Sequence, residues 1–172
     1  TGDLSRRKLL PALRQVTRSG AIGELEIIGV SRKAFDTAEL VGEELAAITR
    51  GISVDLLNPG DYKRLYDECD VKSGAQVVIY LSVPPLAVTQ IVKHLGEAGF
   101  GTENVKLLLE KPFGVDEQSA KDIIGEIALH FHESNIYRID HYLAKEVAQN
   151  IISFRASNAL FSHIWNHEFI EK

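Results

Sequence analysis

Five short apolar runs, each followed by a stretch with helical spacing, constrain this chain more than any other feature. The runs are "ELEIIGV" (24–30), "ISVDLL" (52–57), "AQVVIYLSV" (75–83), "VKLLLEK" (105–111) and "NIYRI" (135–139). They are nearly continuous in Ile, Val and Leu, the pattern of strands buried on both faces rather than on one. Strands of that kind alternating with helices predict an α/β architecture, a parallel sheet covered by helices on both sides.

The intervening segments support this. "KLLPALRQVTRS" (8–19) spaces Leu9, Leu10, Leu13 and Val16 at helical period, with Pro11 suited to a first turn or a kink and Gly20 and Gly23 beyond the end. Residues 36–50 read as a helix with Thr37 as N-cap. "NPGDYKRLYDEC" reads as a turn and then a helix in which Leu65 is apolar. Residues 86–99 form a helix closed by Gly96 or Gly99, and residues 116–132 one with Ile123, Ile124, Ile127 and Ala128 on its apolar side. A final helix is expected from about His141.

Composition narrows the class. The chain has 172 residues, enough for one domain or one domain plus part of another. A net charge of −5 argues against nucleic acid as a partner. No apolar run approaches the roughly 18 residues of a membrane span. The single cysteine, Cys69, excludes an internal disulfide and fits a reducing, cytoplasmic setting. The chain starts at Thr1, has no methionine and stops in mid-pattern at "NHEFIEK", so it reads as a fragment.

Several motifs fall at places where chemistry is expected. "TGDLSRRK" opens a helix with Gly2 and small polar residues, a turn that lets backbone N–H groups approach a pyrophosphate. Equally, Asp3 could be an ordinary N-cap. The run "IIGV" is followed by Ser31, Arg32 and Lys33. An acid at the tip of the second strand of a dinucleotide-binding sheet takes the ribose hydroxyls of NAD, whereas cations suit the 2′-phosphate of NADP. Together the two motifs point to NADP. "YLSVPP" ends a strand on rigid prolines, and "LEKPFG" puts Lys111 at another strand's carboxyl end, where ligands of open α/β sheets bind. "NIYRIDHYLAKE" then crowds Arg138, Asp140, His141, Tyr142 and Lys145 together. If a helix starts at Asp140 or His141, His141 and Lys145 share a face and, with Tyr142, make a phosphate cradle at its N-terminus. Asp140 would repel an anion, so it better suits orienting a histidine base. The structural alternative makes Asp140 an N-cap, His141 and Tyr142 partly buried, and Lys145 solvated.

"RIDHYLAKE" closely resembles the active-site signature of the glucose-6-phosphate dehydrogenase family, R-I-D-H-Y-L-G-K-E. "TGDLSRRKLLPAL", "IIGVSRK", "VDLLNPGDY", "YLSVPP", "EKPFG" and "FRASNALFSHIWN" follow in the family's order, from Thr1 to about Asn166. The resemblance implies a Rossmann-like, doubly wound, mostly parallel NADP-binding domain over 1–145 without its first strand, and the start of a second α+β domain over 146–172. It implies hydride transfer from C1 of glucose 6-phosphate to NADP, giving 6-phosphoglucono-δ-lactone and NADPH in the oxidative pentose phosphate pathway. It also implies a homo-oligomer, dimer or tetramer, through the second domain, and no metal. Position by position, Thr1, Gly2, Asp3 and Leu4 match the phosphate-binding turn. Arg32 matches the 2′-phosphate ligand, with Lys33 beside it. Asp55 and Leu56 align with the adenosine site, and Val83 and Pro84 with the nicotinamide-side turn. Lys111 matches the lysine that reaches sugar and cofactor. His141, Tyr142 and Lys145 match the grip on the sugar phosphate, and Asp140 the carboxylate that orients the catalytic histidine.

The chain departs from the family in four ways, of which the first is that the family's first strand and first glycine are missing. Ala144 stands for the family glycine. The stretch between Arg32 and Asp55 is short. The catalytic histidine lies in the family beyond position 172, and none of His94, His130, His132, His163 and His167 has its context, so residues 1–172 alone are expected to be inactive. The alternative function is a non-catalytic NADP-binding or regulatory paralogue without the second domain.

Overall fold

The computed structural model describes residues 5–140, 142, 145–159, 163–166 and 168–170. Strands and helices alternate. α1 (Leu10–Ser19) leads to β1 (Ile27–Ser31), and α2 (Thr37–Val41) and α3 (Glu43–Ala46) to β2 (Thr49–Ser53). Then come α4 (Pro59–Glu68), β3 (Val77–Leu81), α5 (Pro85–Ala98), β4 (Val105–Glu110), α6 (Glu117–His130), β5 (Ile136–Ile139) and α7 (Glu146–Ser157).

All strand pairs are parallel, as the apolar runs predict. Among the described residues they form two groups, β1 with β2 and β3-β4-β5, rather than one sheet. Helices flank both faces of the first group. Ile27 packs with Leu10, Val41 and Leu45 of α1, α2 and α3, while its neighbour Ile28 packs on the main core with α4, α5 and α6. In the second group Leu107, Leu109 and Ile136 face that core. On the opposite face Val78 is 56% exposed and Tyr137 50%, so among the described residues that face is only partly covered.

Local chemistry sets the boundaries. Asp36, not Thr37, caps α2, its carboxylate accepting from the Ala38 and Glu39 amides. The expected helix over 36–50 breaks at Gly42, whose φ of 74° lies in the region open to glycine. Arg14 of α1 fills the space there and donates to the Val41 carbonyl at 2.7 Å. β2 lies earlier than expected because Asp55 turns aside: its amide donates to the Asp61 carboxylate at 2.8 Å. Asp116 and Ser119 close a reciprocal capping box on α6. Ile123 and Ile127 are buried as expected, but Ile124 is 46% exposed.

α5 and α6 cross closely at a glycine. A Cβ on Gly96 would lie 2.1 Å from the His130 ring. Gly96→Ala is therefore expected to lower stability by about 1–3 kcal/mol through overpacking. Urea unfolding of the purified chain checks this, and unchanged stability would contradict the crossing.

Candidate functional site

The residues named from sequence gather just past the carboxyl ends of the parallel strands, where open α/β sheets bind ligands. Arg32 and Lys33 follow β1, Asp55 and Leu56 follow β2, and Val83 and Pro84 follow β3. Lys111 follows β4 and Asp140 follows β5. Thr1, Gly2, Asp3, Leu4 and His141 lie outside the described residues, as do Ala144 and His167.

At the first edge, Arg32 and Lys33 are both exposed, and no acid stands beside them in sequence. Their backbone is pinned by serines that sequence reading passed over. The Ser31 hydroxyl donates to the Lys33 carbonyl, and the Ser53 hydroxyl donates to the Arg32 carbonyl at 3.2 Å. Ser31 and Ser53 face each other in the β1–β2 register, a pairing that spacing alone cannot reveal. Phe35 closes the loop by lying over the paired glycines Gly29 and Gly51.

The loop after β2 is equally fixed. Asp55 accepts from the Leu57 amide at 3.0 Å. The Tyr62 hydroxyl donates to the Leu56 carbonyl at 3.2 Å. Burial, with help from Asp55 and Asp61, pushes the Tyr62 phenol up to about 12, so it remains a donor at neutral pH. Asp55 is exposed and Leu56 half-buried, an edge that offers one polar and one apolar surface.

Val83 is half-buried against the core, and Pro84 holds the N-terminal turn of α5 through the Ala87 amide at 2.9 Å. Across from it, the Lys111 ammonium meets Asp140 Oδ2 at 3.1 Å. The Lys111 amide also donates to the Ile139 carbonyl at 3.1 Å, which continues the β4–β5 pairing by one residue. Asp140 Oδ1 accepts from the Tyr142 amide at 2.9 Å. The sequence reading did not foresee the contact between Lys111 and Asp140, because it rests on the parallel register of two distant strands.

The stretch after Asp140 corrects one expectation. Asp140 ties down the Tyr142 amide in a turn, and the Lys145 amide donates to the Tyr142 carbonyl at 3.2 Å. Lys145 itself is extended, with φ −71° and ψ 136°, and α7 begins only at Glu146. So Asp140 is not the N-cap of α7, and Lys145 precedes that helix instead of lying within it. Tyr142 is 72% exposed rather than partly buried. The Lys145 ammonium sits 4.0 Å from the centre of the Tyr142 ring. Phenol and cation therefore still converge, by stacking instead of helical spacing.

The sequence model described as "Glucose-6-phosphate dehydrogenase, NAD binding domain" matches residues 1–150. This chain belongs to the glucose-6-phosphate dehydrogenase family. It is 34% identical over 189 residues to the glucose-6-phosphate 1-dehydrogenase of Borreliella burgdorferi, a match covering 99% of this chain and 39% of that protein. With the glucose-6-phosphate 1-dehydrogenase of Zymomonas mobilis it shares 35% identity over 193 residues, again 99% of this chain and 39% of the relative. A solved "Glucose-6-phosphate dehydrogenase in complex with its substrate glucose-6-phosphate" superposes with a TM-score of 0.76 at 27% identity, covering 97% of this chain and 40% of that one. A glucose-6-phosphate 1-dehydrogenase from Mycobacterium avium gives the same values. The α/β fold is thus that of the family's N-terminal nucleotide-binding region, and the chain spans well under half the length of these relatives.

His132, His130 and His94 lie away from this edge. His132 precedes β5, at the amino ends of the strands, and pairs with the Ser134 hydroxyl. His130 ends α6 and meets Glu126 at 3.1 Å. His94 is buried near the end of α5, between Gln90 and Glu97. No described helix is long and apolar enough to cross a membrane.

Proposed function

We propose that this chain is the coenzyme-binding part of an NADP-dependent dehydrogenase that oxidises glucose 6-phosphate at C1 to 6-phosphoglucono-δ-lactone. One observation carries the reading. The described candidate residues all follow strand ends at one edge of the parallel sheets, with Lys111 paired to Asp140 across β4 and β5. The donor set suits the dinucleotide. Two exposed cations and no adjacent acid at the end of β1 fit a 2′-phosphate, and Asp55 with Leu56 offers a polar and an apolar surface for the adenosine. Thr1, Gly2, Asp3 and Leu4 would hold the pyrophosphate, and Val83, Pro84 and Lys111 the nicotinamide end.

Bound NADP supplies the acceptor for the hydride that leaves C1. The protein's part is binding and orientation, which supply much of the rate in such reactions. Lys111 holds the sugar against the cofactor. Asp140 orients the base that takes the C1 hydroxyl proton and stabilises the cation that forms on it. The resemblance to the family puts that base beyond position 172, and His94, His130 and His132 lie away from this edge. Tyr142, Lys145 and His141 hold the sugar phosphate. The boundary with a second domain falls at Lys145 and Glu146, which is supported by α7 burying none of its residues. Oligomer contacts belong to that second domain, and the location is the cytoplasm.

The test is Lys145→Ala in the full-length protein carrying this domain. KM for glucose 6-phosphate is expected to rise by about tenfold or more, the scale of one charge-assisted contact. Some kcat can follow, since phosphate binding also positions C1. Turnover of free glucose should hardly change. Equal loss with both sugars would remove Lys145 from the phosphate site.

A further inference from the structure

Tyr80 and Glu110 take no part in the site described above, yet they join two of its edges. Tyr80 is the penultimate residue of β3, three positions before Val83. Glu110 ends β4 and is followed by Lys111. The β3–β4 pairing stops at Leu81 opposite Leu109, so the backbone ladder does not reach the Val83–Pro84 turn or Lys111. The Tyr80 hydroxyl spans this place and donates to Glu110 Oε1. Tyr80 stands opposite Leu108, so the phenol leans forward by one side-chain repeat to reach the carboxylate.

Both side chains are half-buried on the face away from the main core, where Val78 and Tyr137 stay exposed. A desolvated phenol on a carboxylate makes a strong, directional hydrogen bond. Burial first, and Glu110 second, hold the phenol above its ordinary pKa, so it stays a donor. On its other side Lys111 is fixed to β5 by its amide and by Asp140. Lys111 is therefore held to β5 directly and to β3 through Glu110 and Tyr80.

Resting on the dehydrogenase reading, we infer that Tyr80 and Glu110 are positioning residues whose hydrogen bond sets the spacing between the Val83–Pro84 turn and Lys111. That spacing is the one between the nicotinamide and the sugar, so it governs hydride transfer and not affinity. In hydride transfer a C1–H bond of the sugar breaks and its electron pair passes with the hydrogen to the nicotinamide, while the hydroxyl proton goes to the base. Small errors in reactant placement cost rate steeply.

The experiment uses the full-length protein carrying this domain. Tyr80→Phe is expected to lower kcat by about tenfold or more, with KM for glucose 6-phosphate and NADP nearly unchanged. Sugar deuterated at C1 should show a larger isotope effect on kcat in the variant, because the hydride step has become slower. Glu110→Gln keeps an oxygen facing the phenol and should retain most activity, whereas Glu110→Ala should match Tyr80→Phe. Combining Tyr80→Phe with Glu110→Ala should cost no more than either alone. If Tyr80→Phe does not fold, the contrast between Glu110→Gln and Glu110→Ala reads the same bond. Unchanged kcat and isotope effect, even with lowered thermal stability, overturn the inference, as does an additive double variant. No turnover by the unmodified protein would overturn the dehydrogenase reading and this inference with it. Normal turnover that Tyr80→Phe leaves untouched would overturn the inference alone.

Discussion

Replacing Asp140 with asparagine in the full-length protein is expected to lower kcat by about 10² to 10⁴, the range associated with losing an oriented acid–base partner. The reason lies in what surrounds the carboxylate. One oxygen faces the Lys111 ammonium at 3.1 Å, and the other faces the Tyr142 amide at 2.9 Å. Both neighbours are donors. An asparagine side chain has one acceptor and one donor end, so its NH₂ must confront one of them. It also lacks the charge that stabilises a protonated base. KM should stay closer to its starting value, as for a group that matters mainly in the transition state. A purely structural Lys111–Asp140 pair is more than half exposed on the lysine side, at 54%, and such a pair contributes only about 0–1 kcal/mol. Steady-state kinetics with parallel denaturation separate the two. Lost stability without lost kcat would leave Asp140 with a structural role only.

The second large effect concerns the cofactor. Arg32→Ala should weaken NADP by about 1.5–3 kcal/mol, the scale of a charge-assisted hydrogen bond. NAD, which lacks the 2′-phosphate, should be weakened far less. Ser53 holds the Arg32 carbonyl at 3.2 Å, which ties down the backbone from which the guanidinium extends. Titrating the purified protein with each dinucleotide measures both affinities. Equal weakening of NADP and NAD would remove Arg32 from the 2′-phosphate site.

The sequence carried some of this directly and hid the rest. Strands are legible when burial on both faces forces continuous apolar runs, as in "VVIYL". The carboxyl ends of β3 and β4 are legible too, because proline in "VPP" and "EKPFG" marks where strands stop. The break at Gly42 was not. Helical spacing continues through it, and the Arg14 guanidinium that takes the freed Val41 carbonyl comes from a different helix. The turn after Asp140 was misread for a related reason. The four-residue spacing of His141 and Lys145 suits a helix that starts at Asp140 or His141, and only the structure reveals that the Asp140 oxygens are taken by Tyr142 and Lys111. The ties between Ser53 and Arg32, and between Tyr80 and Glu110, were invisible because each depends on strand register, which no local pattern encodes.

The most direct measurement is the initial rate of NADPH formation by the purified full-length protein carrying this domain, with glucose 6-phosphate or free glucose as donor. The account predicts steady NADPH formation with glucose 6-phosphate, much slower turnover of free glucose at equal concentration, and none from residues 1–172 alone. Tight NADP binding with no turnover of the phosphate ester would contradict it and favour a non-catalytic NADP-binding protein. Steady turnover by residues 1–172 would contradict it differently, by placing the base within this chain.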